Sequence, residues 1–289
     1  MEGDGTKPTV VILGAGHLGK YLAGKIPGAY LFPGRLSEFD QTIPNLRAVI
    51  INTVGKTDLS WCETNWIDAF ITNGFAPGFL YRTLIGSQRL IHLSSGCIWD
   101  GPYNAEGKPF GPDDPPSPAC RYSESKVLGD EAIKRLGKGH KDWAILRLRM
   151  PYSPVNSPRN LLSKLIGYEK LIDDPNSVTS ADTLLATINH LIDDWKSPLW
   201  GRISLVYDKG ITSPFKIGSI LSKVGLRQRP KFFEKFDLDS WHKPKRVNTV
   251  LSDPIFEEVI KPPMVENELP RVVELYAQSL KITKSLDGF

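Results

Sequence analysis

A short β-branched run, Val10-Val-Ile-Leu13, passes without a linker into Gly14-Ala-Gly16-His17-Leu18-Gly19, then into a helical stretch through Tyr21, Leu22 and Ile26. Few folds accept that order. The apolar run suits a strand covered on both faces of a parallel sheet. Glycines at these three positions let the backbone turn tightly, approach a pyrophosphate and seat the helix against the strand. The segment predicts a dinucleotide site formed by Gly14, Gly16, His17, Leu18 and Gly19. A glycine-rich turn that holds no ligand is the plainer alternative.

The rest of the chain repeats the theme. Ala29–Phe32, Ala48–Asn52, Arg89–Leu93 and Trp143–Leu148 read as strands, with helical segments at 65–84 and 123–136. Such alternation predicts an α/β, Rossmann-like, doubly wound parallel sheet. Ligands in these sheets gather at the carboxyl ends of the strands. Gly14, Asn52 and Ser94/Ser95 all fall at predicted strand ends, which puts Asn52 with the cofactor residues. Five prolines between Lys108 and Pro118 make a stiff loop. Beyond Met150 come an amphipathic segment at 161–171, a helix at 182–192, a strand at 203–206 and a helix at 271–280. The expected division is a cofactor domain over 1–150, completed by 181–206, and a smaller C-terminal substrate-binding lobe from 151–180 and 207–289.

An acid that would bind a ribose hydroxyl usually follows the glycine turn by about 20 residues. Here that point reads Phe32-Pro-Gly-Arg35, with acids only at Glu38 and Asp40. Arg35 facing a 2′-phosphate favours NADP(H). NAD(H) stays open, since a solvated loop arginine would look the same.

Bulk properties narrow the function class. Hydrophobic residues at 40% and charged residues at 24% of 289 describe a globular chain with a sizeable core. A formal charge of +4 with no dense Lys/Arg stripe suits an anionic small molecule and argues against nucleic acid. No apolar segment is long enough to span a bilayer, so no membrane partner is expected. Three cysteines, none in Cys-x-x-Cys spacing, predict no metal and a reducing, cytoplasmic setting.

The chemistry concentrates in Leu93-Ser-Ser-Gly-Cys-Ile-Trp-Asp-Gly101 and the pair Tyr122/Lys126. On a helix Tyr122 and Lys126 stand one turn apart, where an ammonium is expected to lower the phenol's pKa. Tyr21/Lys25 repeats the spacing beside the glycine turn, in a structural setting. Ser95 could hold a substrate oxygen, giving a Ser/Tyr/Lys relay to a carbonyl, with Lys126 also touching the cofactor. Cys97, counted from Ser95 along an extended backbone, would point to the same side. It is then either a base beside that carbonyl or a small buried hydrophobe. Cys62 and Cys120 have no comparable setting and are read as structural or incidental.

At these residues the chain resembles the extended short-chain dehydrogenase/reductases, and more narrowly the nucleotide-rhamnose synthase/epimerase-reductases. The likeness runs over residues 9 to 255, weakening after 210. It includes Ser60-Trp-Cys-Glu63, Thr72-Asn73, Gly96-Cys-Ile-Trp99, Leu146-Arg-Leu-Arg-Met-Pro151, Ser157-Pro-Arg-Asn160, Lys164, Tyr168-Glu-Lys170 and Pro175-Asn-Ser-Val-Thr179. The resemblance implies reduction of a 4-keto sugar nucleotide by Ser95, Tyr122 and Lys126. It implies epimerisation at C3 and C5 by Cys97 and Lys164, and substrate contacts from Arg159, Asn160 and Arg246. The implied substrate is UDP- or dTDP-4-keto-6-deoxyglucose, and a homodimer is common in the fold. The glycine turn is one residue shorter than the family's G-x-x-G-x-x-G, which leaves the cofactor preference open. Asp100-Gly101 is also similar to dTDP-4-dehydrorhamnose reductases, which reduce without epimerising. A 4-keto reductase alone and a non-catalytic NADP-binding regulatory subunit are the competing readings.

Overall fold

The structure, a computed structural model, describes residues 7–34, 47–232 and 244–286. Arg35 lies outside the described residues. Strands β1 (Thr9–Leu13), β2 (Tyr30–Phe32), β3 (Ala48–Asn52), β4 (Gln88–Ser95) and β5 (Trp143–Leu148) come first. The two-residue strands β6 (Pro151–Tyr152), β7 (Lys170–Leu171) and β8 (Thr179–Ser180) follow, then β9 (Arg202–Val206) and β10 (Lys231–Phe232). Six of them form one parallel sheet in the order β2-β1-β3-β4-β5-β9. The strand order turns back between β1 and β3. That is the point where a doubly wound sheet opens a crevice.

Alternation along buried strands supplies two cores. Val10 and Ile12, Val49 and Ile51, Ile91 and Leu93 pack on one layer with α1 (His17–Ala23) and with Leu184, Ile188 and Leu191 of α7 (Ala181–Asp193). Val11, Leu13, Ile50, Leu90 and Ile145 pack on the other, against Leu80 and Tyr81 and against Ile133 of α5 (Arg121–Leu136). Each fully buried Ile or Leu contributes roughly 2 kcal/mol of transfer free energy. A separate cluster joins Tyr152, Leu162, Leu165, Ile217, Val265, Leu269 and Tyr276. Among the described residues no helix is long and apolar enough to cross a membrane, and no group of His, Cys, Asp or Glu could hold a metal.

Two elements differ from the sequence reading. The helical stretch at 65–84 begins earlier and is broken: α2 (Leu59–Thr64) and α3 (Trp66–Ala69) precede a π-helical segment, Phe70–Phe75, and α4 (Ala76–Arg82). The widened turn carries Asn73, fully buried, whose side chain ties Lys56 N and O to Ser125 Oγ. The terminal helix begins at Val265 and takes in Pro270, placed within its second turn.

Candidate active site

The glycine turn closes on the loop after β3. Gly14 sits at φ +100°, and a Cβ there would lie 2.7 Å from Thr53 Oγ1 and 2.9 Å from Val54 N. At Gly19 it would lie 1.9 Å from Gly14 O. Thr53 Oγ1 bridges the carbonyls of Leu13 and Gly14, both at 2.9 Å. Gly16 is different: a Cβ there would meet only Arg159 Nη1, at 3.6 Å. The turn and residues 155–159 line a cavity of about 700 Å³, with Lys20 and Arg159 among its walls. His17 Nε2 meets Ser153 Oγ at 3.0 Å, so residues 153–159 lie as a strap across the turn. Burial, then the Lys164 charge, lower the His17 pKa. Leu18 packs on the first core.

Two residues expected to contact ligands have their side chains engaged inside the fold. Asn52 is 1% exposed; its amide nitrogen meets His92 Nδ1 at 3.1 Å and its oxygen accepts from Val54 N at 3.0 Å. Asn160 is fully buried, caps α6 (Leu161–Gly167), and donates to the carbonyls of Ser153 and Val155, both at 2.8 Å. The two asparagines shape the cleft without facing it.

At the end of β4 the groups converge. Ser95 Oγ accepts from Cys97 N at 3.0 Å and shares a hydrogen bond with the Tyr122 phenol. Cys97 does not continue the expected extended register from Ser95: β4 ends at Ser95, and Gly96–Cys97 turn, with Gly96 N held by Leu148 O at 2.8 Å. The turn nonetheless brings the partly exposed Cys97 against Tyr122. Cys62 and Cys120 pack in the same cluster, so neither is incidental in position. Burial pushes the Cys62 thiol up to about 11 and raises Cys120 as well.

The expected lowering of the Tyr122 pKa is overturned. Burial raises it, with the Cys97 charge adding and the Ser95 hydrogen bond opposing. The Lys126 ammonium is engaged elsewhere, donating to Leu93 O at 3.0 Å, and burial lowers it to about 8 with Asp130 opposing. An ammonium has three protons to donate, and this one has a single acceptor among the described residues. Glycine cradle, adjoining cavity and spare Lys126 protons fit a dinucleotide. Asp130 also pins α5 to β5 through a buried ion pair with Arg147 at 2.8 Å.

Lys164 stands on α6. Partial burial of its head and then the charges of Arg246 and Arg159 lower its pKa, while Asp58 opposes. Arg246 and Arg159 are exposed, and Lys245 pairs with Asp100 at 2.8 Å. Arg159, expected at the sugar nucleotide, therefore reaches over the glycine turn as well. Arg149, not among the expected site residues, donates through Nη1 to Cys97 Sγ at 2.6 Å. Its only signal was membership in the Leu146–Pro151 run.

A family model described as the RmlD substrate binding domain matches residues 36–196. A bifunctional dTDP-4-dehydrorhamnose 3,5-epimerase/dTDP-4-dehydrorhamnose reductase of Arabidopsis thaliana is 31% identical over 170 residues, 53% of this chain and 54% of that protein. The chain spans about half the length, or less, of the curated relatives it matches first. Among solved structures, the L780 UDP-rhamnose synthase from Acanthamoeba polyphaga mimivirus superposes with a TM-score of 0.79 at 18% identity, over 93% of this chain and 99% of that one. The dTDP-4-dehydrorhamnose reductase from Bacillus anthracis str. Ames, in complex with NADP, superposes with a TM-score of 0.76 at 20% identity, over the same shares. At these identities the structural likeness is one of fold.

Proposed function

Since the chain belongs to the RmlD substrate-binding-domain family of extended short-chain dehydrogenase/reductases, we propose that it is an NADPH-dependent 3,5-epimerase/4-reductase. Its substrate is a nucleotide-linked 4-keto-6-deoxyhexose, the UDP- or dTDP-4-keto-6-deoxyglucose class. One observation carries this reading: a thiol, a hydroxyl and a phenol, those of Cys97, Ser95 and Tyr122, meet at the end of β4. Residues 1–150 with 181–206 hold the cofactor in this reading, and 151–180 with 207–289 bind the sugar nucleotide. The exposed cations Arg159 and Arg246, with Lys164 beside them, suit its diphosphate.

A bound nicotinamide cofactor supplies the hydride that reduces C4. The protein supplies the proton and the geometry. Ser95 Oγ holds the C4 oxygen. Tyr122, its pKa raised by burial, is a neutral phenol near pH 7, the form that can donate to that oxygen. Lys126, whose ammonium has protons to spare, would hold the cofactor's ribose. Epimerisation comes first, because the C4 ketone acidifies the C–H bonds at C3 and C5. The Cys97 sulfur takes a proton, the C–H electrons move to the C4 oxygen as an enolate, and the Lys164 ammonium returns a proton to the opposite face. Solvent restores Lys164 and accepts the proton from sulfur. Reduction then removes the ketone and fixes the stereochemistry.

The test is solvent exchange. Incubated with UDP- or dTDP-4-keto-6-deoxyglucose in D2O without cofactor, the protein should place deuterium at C3 and C5, and Cys97→Ala should stop it. NADPH consumption without deuterium uptake by the unmutated protein would leave a 4-keto reductase alone.

The reading includes a homodimer. Ile67, Ile71, Phe75 and Phe79 recur every fourth residue along one outer face, with Phe75 62% and Phe79 70% exposed. Exposed Asp68 and Arg82 flank that stripe, each seven positions from Phe75. Two copies crossed antiparallel at Phe75 would bury the stripe and set each Asp68 against the other's Arg82.

A further inference from the structure

Arg149 follows β5 directly and is 4% exposed. A guanidinium keeps its charge in any protein environment, so burying one demands acceptors and, for charge balance, an anion. Acceptors are present. Nε donates to Asn176 Oδ1 at 2.9 Å, Nη2 donates to Val247 O, and the backbone N donates to Thr179 Oγ1 at 2.9 Å. Asn176 is itself fixed by Thr249 N at 3.0 Å and passes a hydrogen bond to Asn248, which reaches Asp174. That carboxylate stands two amides away. Among the described residues no carboxylate pairs with Arg149. The group on its remaining face able to carry negative charge is the Cys97 sulfur, 2.6 Å from Nη1.

We propose that Arg149 is the counter-ion of Cys97: it holds the sulfur as an anion at the cleft and thereby makes this cysteine, of the three, the base. The inference rests on the epimerase reading and supplies what that reading lacks, a reason for Cys97 to be basic at neutral pH. The titratable and charged groups facing the sulfur are Arg149 from the end of β5, Tyr122 of α5 and Cys120 just before α5. Arg149 alone among them is a cation. Among the described residues neither of the other two thiols accepts a hydrogen bond from a cation: Cys62 leans on Lys56 O at 3.7 Å, with burial outweighing the Lys56 charge, and Cys120 on Ser123 Oγ at 3.3 Å. Arg149 is thus a positioning residue. It acts through sulfur, and its anchors at Asn176 and Val247 fix where the sulfur stands. Met150, next in the chain, holds φ at +43°, a conformation that persists in a non-glycine residue only where its surroundings impose it.

The test reads Cys97 directly. Iodoacetamide alkylation of the folded protein, resolved by site with mass spectrometry, is followed from pH 6 to 8. An ordinary thiol gains roughly tenfold in rate per pH unit over this range. Cys97 should change less than about twofold, and a rise of about a hundredfold overturns the proposal. Arg149→Met should slow Cys97 alkylation at pH 7 by about tenfold or more, with Arg149→Lys recovering part of the loss. Unchanged alkylation in Arg149→Lys and Arg149→Met also overturns it. Should Arg149→Met fail to fold, the pH profile of the unmutated protein decides. A flat profile combined with no deuterium uptake from D2O supports the ion pair and removes the epimerase function.

Discussion

Lys126, 4% exposed, brings a charge into the interior. Its folded pKa of about 8 lies below the ordinary lysine value of 10.5. Between those values the unfolded chain binds more protons than the folded one, so stability rises with pH across that window. Lys126→Met removes the buried charge and should stabilise the fold at pH 7, by about 3 kcal/mol at most, while NADPH-dependent reduction is lost. Thermal melts of both proteins at pH 7 and pH 10 check the sign: the gap between them should narrow at the higher pH. The same residue marks a limit of reading sequence. Tyr122 and Lys126 were legible as a pair from their spacing. Their electrostatics were not, because burial outweighs a neighbouring ammonium whose proton is turned to Leu93 O. Arg149 was invisible for a related reason. Nothing in the string says that an arginine after β5 and a cysteine after β4 share one contact.

At the scale of elements, the strand, turn and helix around Gly14–Gly19 illustrate what a short motif does determine. Strand–turn–helix order, two-sided strand burial and the convergence of strand ends all followed from apolar runs and glycines. The glycines differ in what they tolerate. Gly19→Ala drives a Cβ into Gly14 O and should cost about 3 kcal/mol or more of stability, read as a lowered melting temperature. Gly16→Ala meets only the far end of Arg159, so its melting temperature should stay within a few degrees of the parent's while NADPH binds more weakly, as measured by titration calorimetry. The π-helical break at Phe70–Phe75 had no such signature. It answers to Asn73, drawn inward to bind Lys56 and Ser125, partners distant in sequence.

For the whole molecule, the apolar stripe on the outer face makes a prediction of its own. Phe75→Asp with Phe79→Asp should convert a dimer to a monomer in sedimentation equilibrium without lowering the melting temperature of the monomer, since both rings are exposed. A protein already monomeric before substitution would leave the stripe without that role. The strap that crosses the glycine turn carries a different implication. On the proposed reading Arg159, whose guanidinium reaches Gly16, hangs over the dinucleotide's place, and Lys164, five residues on, serves the sugar. One short stretch of chain thus answers to two ligands, and linkage makes the exchange symmetric: whatever factor a seated sugar nucleotide adds to the grip on NADPH, NADPH must return to the sugar nucleotide.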